Sequence, residues 1–147
     1  MELEILSPEN FTPFMKLVIA LWPDCSPEEE SINYQNVIGS KEAQCFLVRD
    51  GDQYVAFLHA GIRHDYVEGS AGSPVAYIEG VYVLPEYRQR GVGKLLFRSA
   101  EDWAQQKGLR QIASDTEADN SRSIQLHRSA GYQESHIVCF IKDLPNT

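Results

Sequence analysis

The stretch from Val75 to Phe97 constrains the chain most, because it reads as a strand, a tight basic turn and a helix in immediate succession. Val75, Tyr77, Ile78, Val81, Tyr82 and Val83 are β-branched, aromatic or both kinds in alternation, and Pro85, which cannot donate to a sheet ladder, ends the strand. Val92, Leu95, Leu96, Ala100, Trp103 and Ala104 then recur at helical spacing and line one face. Between the two lies Arg88-Gln89-Arg90-Gly91-Val92-Gly93. A helix start exposes unpaired N–H groups and the positive end of the dipole, and glycines let an anion approach that backbone, so phosphate or pyrophosphate is the natural ligand. Two glycines can also serve a turn alone. The pattern is neither the Walker loop, since no Gly-Lys-Ser/Thr follows, nor the three-glycine dinucleotide fingerprint.

At 147 residues the chain has the size of one domain, 1–147, with enough length for a single substantial core. No apolar run is long enough to span a bilayer, and the acidic start Met1-Glu2-Leu3-Glu4 is unlike a signal peptide, so a cytoplasmic protein without membrane contact is expected. Three widely spaced cysteines lack metal-ligand spacing, and no metal is expected. Cys45 and Cys139 lie in apolar runs and read as core thiols, while the role of Cys25 in its loop stays open. The formal charge of −8 argues against a nucleic-acid surface and permits a cationic partner, although from charge alone solubility is the better explanation.

In chain order, Leu3 to Leu6 reads as a first strand and Ser7-Pro8-Glu9 as a helix start, with Phe11, Phe14, Leu17, Val18 and Leu21 on one helical face. Trp22 follows at the helix end, as a lid over the core or a ligand contact. Ser26-Pro27-Glu28-Glu29 is a capping box. Gln44–Arg49 and Gln53–His64 form a hairpin about Asp50-Gly51, and residues 65–74, with Tyr66, form a loop. In the central strand the two-residue period puts Val75, Tyr77, Glu79, Val81 and Val83 on one face, where Glu79 is the only charge and so a candidate functional group. Gly80 suggests a β-bulge. Leu109–Ser114 reads as a strand with Asp115 at its carboxyl end, where α/β sheets gather ligands. Ser121–Ala130 is the last helix, with Ile124 and Leu126 buried, and Ser135–Ile141 alternates as a final strand.

Two of these segments stand in the order of a known family. Tyr82–Lys94 resembles the core acetyl-CoA motif of the GNAT superfamily of N-acetyltransferases, and Asn120–Tyr132 resembles the motif that follows it. Leu21-Trp22-Pro23, Ile62 to Val67, Ser73-Pro74-Val75, Glu79-Gly80, Val83-Leu84-Pro85 and Ala113-Ser114-Asp115 are similar to the short, dimeric aminoglycoside 6'-N-acetyltransferases, and this likeness runs nearly end to end. The resemblance implies the mixed α+β GNAT fold, a central, mostly antiparallel sheet splayed at the acetyl-CoA site and flanked by helices. It implies direct acetyl transfer from acetyl-CoA to a primary amine, without an acyl-enzyme, most naturally the 6'-amine of an aminoglycoside.

By the same likeness the N–H groups of Gln89, Arg90, Gly91, Val92, Gly93 and Lys94 cradle the pyrophosphate. Val81, Tyr82 and Val83 pair with the pantetheine arm, and Asn120 meets the cofactor from the other side. Trp22, Tyr66, Glu79 and Asp115 match aminoglycoside-lining positions, Tyr66 reaching across a homodimer. Chemistry agrees, since a protonated amine must lose a proton before it attacks, and Glu79 or Asp115, directly or through water, is placed to take it. The expected division gives Glu79 proton removal and Asp115 amine recognition. Two positions depart from the pattern. His127 stands where many members carry a tyrosine general acid, and His136 stands where the resistance enzymes carry an acid in the substrate site. The alternatives are acetylation of another small amine or peptide, and a non-catalytic acetyl-CoA-binding module.

Overall fold

A computed structural model describes residues 1–146. Its strands are β1 (Glu2–Ile5), β2 (Ala43–Asp50), β3 (Gln53–Arg63), β4 (Val75–Val83) and β5 (Ile112–Ser114). Its helices are α1 (Phe11–Leu21), α2 (Pro27–Gln35), α3 (Val92–Gln106) and α4 (Ser121–Ser129), with short 3-10 turns at Pro8–Asn10 and Pro85–Tyr87. The strands lie in sequence order in one sheet, antiparallel except for the parallel pair β4–β5. This is the mixed, mostly antiparallel architecture expected.

Local chemistry accounts for the element ends. Ser26 accepts from the Glu29 N–H at 3.3 Å and so caps α2, whose first turn carries Glu28, Glu29 and Glu30 against the helix dipole. The β2–β3 hairpin turns at Gly51, φ 60°, after which Gln53 pairs with Asp50. Two apolar cores then cover the two faces of the sheet. Phe97, Leu96, Ala100 and Trp103 of α3 pack on Val48, Val55, Leu58 and Ile78. Phe14, Leu17 and Val18 of α1 pack with Tyr34 of α2 on Leu47 and Phe57 of the opposite face.

The central strand departs from simple alternation. Ile78 pairs with Ala60 and Gly80 with His59, so Glu79 is an extra residue on β4. An extra residue switches the side on which later side chains fall. Accordingly Tyr77 packs with Val67 and Val75, whereas Val81 and Val83 join the α3 core. Tyr77 and Val81 therefore do not share the face that the two-residue period assigned to them. The bulge next to Gly80 is present. β5 pairs with β4 only from Ala76 to Ile78, so beyond Ile78 β4 has no neighbour on that side among the described residues and the sheet opens.

Four further expectations are corrected. The fifth strand begins at Ile112 rather than Leu109, because Leu109 donates its N–H to Ala104 in the helix C-terminal turn. Ile124 and Leu126 are half-buried on α4 rather than enclosed, since that helix covers only the edge of the α3 core. Ser135–Ile141 forms no strand. The chain beyond Tyr132 makes no backbone–backbone hydrogen bond among the described residues, and Cys139, expected in the core, is exposed with it.

Candidate active site

The opening in the sheet is a groove of about 730 Å³ between β4, the turn before α3, and α4. Its floor begins at the turn. Gln89, φ 61°, and Gly91, φ 82°, both adopt left-handed backbone, which points successive N–H groups to one side. No backbone N–H from Gln89 to Lys94 meets a protein acceptor among the described residues, and the first helical bond runs from Leu95 to Gly91 at 3.1 Å. Gln89, Gly91, Gly93 and Lys94 of this turn and helix start line the groove, which suits a pyrophosphate. Arg88 Nε is turned away to the Val83 carbonyl at 2.8 Å and braces the loop.

The two glycines do different work. A Cβ on Gly91 would meet nothing within 4 Å, so its requirement is the left-handed φ. A Cβ on Gly93 would fall 2.9 Å from Leu126 Cδ1 of α4, so Gly93 lets the two helices close around the groove. Asn120 accepts from the Ser123 N–H at 3.1 Å and caps α4, which places it on the wall opposite the turn. Val81, Tyr82 and Val83 line the wall between, on the unpaired side of β4. His127 also lines the groove. Its Nδ1 donates to the Ser123 carbonyl at 2.7 Å, so in the neutral ring Nε2 accepts from the Ser114 hydroxyl at 2.9 Å and has no proton to give.

At its far end the groove meets Trp22, Glu79 and Asp115. Trp22 lies over Gly80 so closely that a Cβ there would come within 2.5 Å of the indole, and its ring packs edge-on to Phe57 at 6.4 Å. It is both lid and site wall. The two acids are joined by residues that the sequence reading did not single out. Arg63 grips both oxygens of Glu79, Nε to Oε2 at 3.0 Å and Nη2 to Oε1 at 2.7 Å. The same guanidinium stacks 3.4 Å from the centre of the Tyr77 ring, and the Tyr77 hydroxyl donates to Asp115. Burial, together with that hydrogen bond, pushes the Tyr77 phenol well above the usual tyrosine range. Arg63 could have been suspected from its place in Ile62-Arg63-His64, but its partner depends on the β3–β4 register.

Behind Trp22 and Glu79 a second pocket of about 460 Å³ opens, with Glu30, Glu42, His59 and Tyr34 in its walls. Tyr66 and His136 belong to neither cavity in this chain. Tyr66 is 76% exposed and donates to Glu68 at 3.2 Å, and His136, also exposed, faces Glu134 at 3.2 Å. Among the described residues there is no group of His, Cys, Asp and Glu placed to hold a metal, and no helix is long and apolar enough to cross a membrane.

Similarity to known proteins runs along the whole of this frame. A curated aminoglycoside N(6')-acetyltransferase type 1 of Serratia marcescens is 35% identical over 135 residues, spanning 91% of this chain and 92% of that protein. The corresponding protein of Acinetobacter haemolyticus is 36% identical over 95% of this chain and 96% of its own length. Among solved structures, AAC(6')-Iy in complex with the bisubstrate analogue CoA-S-monomethyl-acetylneamine superposes with a TM-score of 0.91 at 31% identity, covering 99% of this chain and 100% of that one. The apo AAC(6')-IG of Acinetobacter haemolyticus gives 0.90 at 34% identity, with 99% and 100% coverage. Residues 5–132 match the acetyltransferase (GNAT) family, and the chain belongs to that family.

Proposed function

We propose that this chain transfers acetyl from acetyl-CoA to the 6'-amine of aminoglycosides and so confers resistance to them. The observation that carries the reading is the continuity of the groove. A run of free N–H groups at Gln89–Lys94 suits pyrophosphate, the unpaired edge of β4 suits the pantetheine amides, and the edge ends at Trp22, Glu79 and Asp115. Relatives that span nearly all of the chain carry that activity in their names. The groove and the acidic pocket rest on one five-stranded sheet, which supports a single catalytic domain.

In this reading the amine's lone pair attacks the thioester carbonyl, and the oxyanion that forms is held by the N–H near Val81, next to the bulge. The C–S bond then breaks with its electron pair on sulfur. The amine arrives protonated and loses two protons in all, one before attack and one as the amide forms, the second going to the departing thiolate. His127 is not needed for that step. Asp115, fixed by Tyr77, is the recognition charge. Glu79, with both oxygens on Arg63, is a counter-charge whose reach to the amine runs through water.

The active unit is a homodimer in the cytoplasm. Three free thiols support a reducing compartment. The dimer is supported by the arm after Tyr132, whose apolar side chains are exposed and whose backbone makes no backbone–backbone hydrogen bond among the described residues, and it would bring a second copy's Tyr66 and His136 toward the site.

Acetyl-CoA consumption measured with aminoglycosides, polyamines and peptides tests the reading. Turnover confined to aminoglycosides with a 6'-amine is expected. Preference for polyamines or peptides replaces the acceptor, and binding of acetyl-CoA without turnover of any amine leaves only a cofactor-binding module. Asp115→Asn should raise the aminoglycoside KM and flatten its salt dependence with kcat retained, because one substrate-facing charge is lost.

A further inference from the structure

The pocket behind Trp22 and Glu79 holds a histidine that neither cofactor nor recognition accounts for. His59 is on β3, opposite Gly80 of the bulge on one side and Cys45 of β2 on the other. It is half-buried and lines the pocket with Glu30, Glu42, Glu79 and Trp22. Tyr34 of α2 packs its ring edge-on to the imidazole at 5.1 Å and places its hydroxyl 3.2 Å from Nδ1. Tyr34 itself is 3% exposed, so this contact fixes the ring. Nε2 has no protein partner among the described residues.

We propose that His59 Nε2 takes the first proton from the acceptor ammonium, with Tyr34 as its positioning residue. This rests on the reading above that the acceptor lies at this end of the groove. The carboxylate expected to do the work is poorly available, because a single guanidinium covers both oxygens of Glu79. His59 lines the second pocket, which shares Trp22 and Glu79 with the groove. In the tautomer whose Nδ1–H donates to the Tyr34 hydroxyl, Nε2 carries the free lone pair. The N–H bond of the ammonium breaks and an N–H bond at Nε2 forms. The freed amine lone pair then attacks the thioester, the C–S electrons go to sulfur, and the second amine proton follows them. The imidazolium releases its proton to water once the neutral amide has left.

The surroundings suit that cycle. Burial lowers the His59 pKa below the usual histidine value, while the Glu79 charge opposes the shift, so the resting ring is neutral and able to accept. The groups facing it are Tyr34 and Glu30 from α2, Cys25 from the preceding loop, Glu42 and Cys45 from the β2 side, and Glu79 from β4. Burial pushes the Tyr34 phenol and the Cys45 thiol up, so both stay neutral, and the carboxylates stand ready to balance the imidazolium while it lasts.

Kinetics of His59→Asn and His59→Gln across about pH 5.5 to 9, spanning the imidazole and amine ranges, test this. At neutral pH kcat should fall about 10²-fold or more, as for loss of a general base, with acetyl-CoA affinity kept. The acid limb set by His59 should be replaced by a rise of about one decade per pH unit, because only amine that is already deprotonated can react. A merely structural histidine would not change that slope. A folded variant with wild-type kcat and pH profile overturns the proposal. Nitrogen-15 NMR of the wild-type imidazoles gives an independent answer, and a His59 ring found protonated at pH 7 also overturns it. Glu30→Gln and Glu42→Gln separate the two readings, since a several-fold rise in acceptor KM is expected of both. Unchanged KM in both removes the acceptor from this pocket and the His59 role with it. Raised KM beside a wild-type His59→Asn profile overturns the His59 role alone.

Discussion

Gly80 and Gly93 are constrained by a neighbour's side chain, Trp22 in one case and Leu126 in the other, while Gly91 is constrained by its own backbone. The three should therefore fail differently. Gly91→Ala should cost about 1–2 kcal/mol through left-handed strain and weaken acetyl-CoA binding, since the loop must distort to relieve it. Gly93→Ala should displace α4, and adding Leu126→Ala should restore part of the acetyl-CoA affinity by making room. Calorimetry on the four proteins reads this as a coupling, and additive losses would mean that Gly93 serves the ligand rather than the helix. From sequence Gly91 and Gly93 look alike. The strand-turn-helix around Gly91 was legible because its cues are local. The Arg63–Glu79 fork and the Tyr34–His59 contact were not, because each joins residues far apart in the chain whose meeting depends on register and on how α2 lies over the sheet.

At the scale of elements, the edge strand β1 is held by a charge network that the sequence also concealed. Glu4 receives Arg49 Nε at 2.6 Å from β2, the Tyr54 hydroxyl at 2.7 Å from β3 and Asn10 Nδ2 at 3.1 Å, with Asn10 itself almost fully buried. The Arg49 bond, then those from Tyr54 and Asn10, lower the Glu4 pKa from 4.5 to about 2. A depressed carboxylate contributes stability that is complete above its unfolded pKa and lost as pH falls through the folded one. Glu4→Gln should therefore lower stability by about 1 kcal/mol near neutrality, and the difference from wild type should shrink from about pH 4.5 downward and vanish near pH 2. Urea unfolding at several pH values checks it; a gap of constant size would assign the effect to packing. Element order and type were readable up to α4 from periodicity together with caps and turn residues. The face of β4 was not, because one extra residue at Glu79 reverses every later side chain, and a two-residue period cannot contain it.

At the scale of the molecule, the segment after Tyr132 is out of keeping with the rest. Its alternation reads as a strand, and the same alternation would appear whether the pairing edge lies in its own chain or in another. Ile137, Val138, Phe140, Ile141 and Leu144 are 62%, 76%, 90%, 97% and 80% exposed, a density of open apolar surface that a lone chain in water does not sustain. Among the described residues β5 meanwhile has β4 as its only neighbour, leaving its other edge unpaired. A second copy would satisfy both, with each arm extending the other chain's sheet. The root of the arm is tied to the Tyr66 loop, since Ser135 donates to Glu68 at 2.8 Å and Glu68 accepts from Tyr66, so an exchanged arm would order that loop beside the neighbouring site. The double variant Phe140→Asp/Ile141→Asp alters four side chains across a two-fold interface and should weaken dimerisation by about 4 kcal/mol or more, a factor of about 10³ in Kd. Sedimentation should then show a monomer at assay concentration that keeps acetyl-CoA affinity, because the turn before α3 is built within one chain, but has a raised aminoglycoside KM. A variant that remains dimeric rejects the arm as the joint, and a monomer with wild-type aminoglycoside KM rejects the sharing of Tyr66 and His136 between subunits.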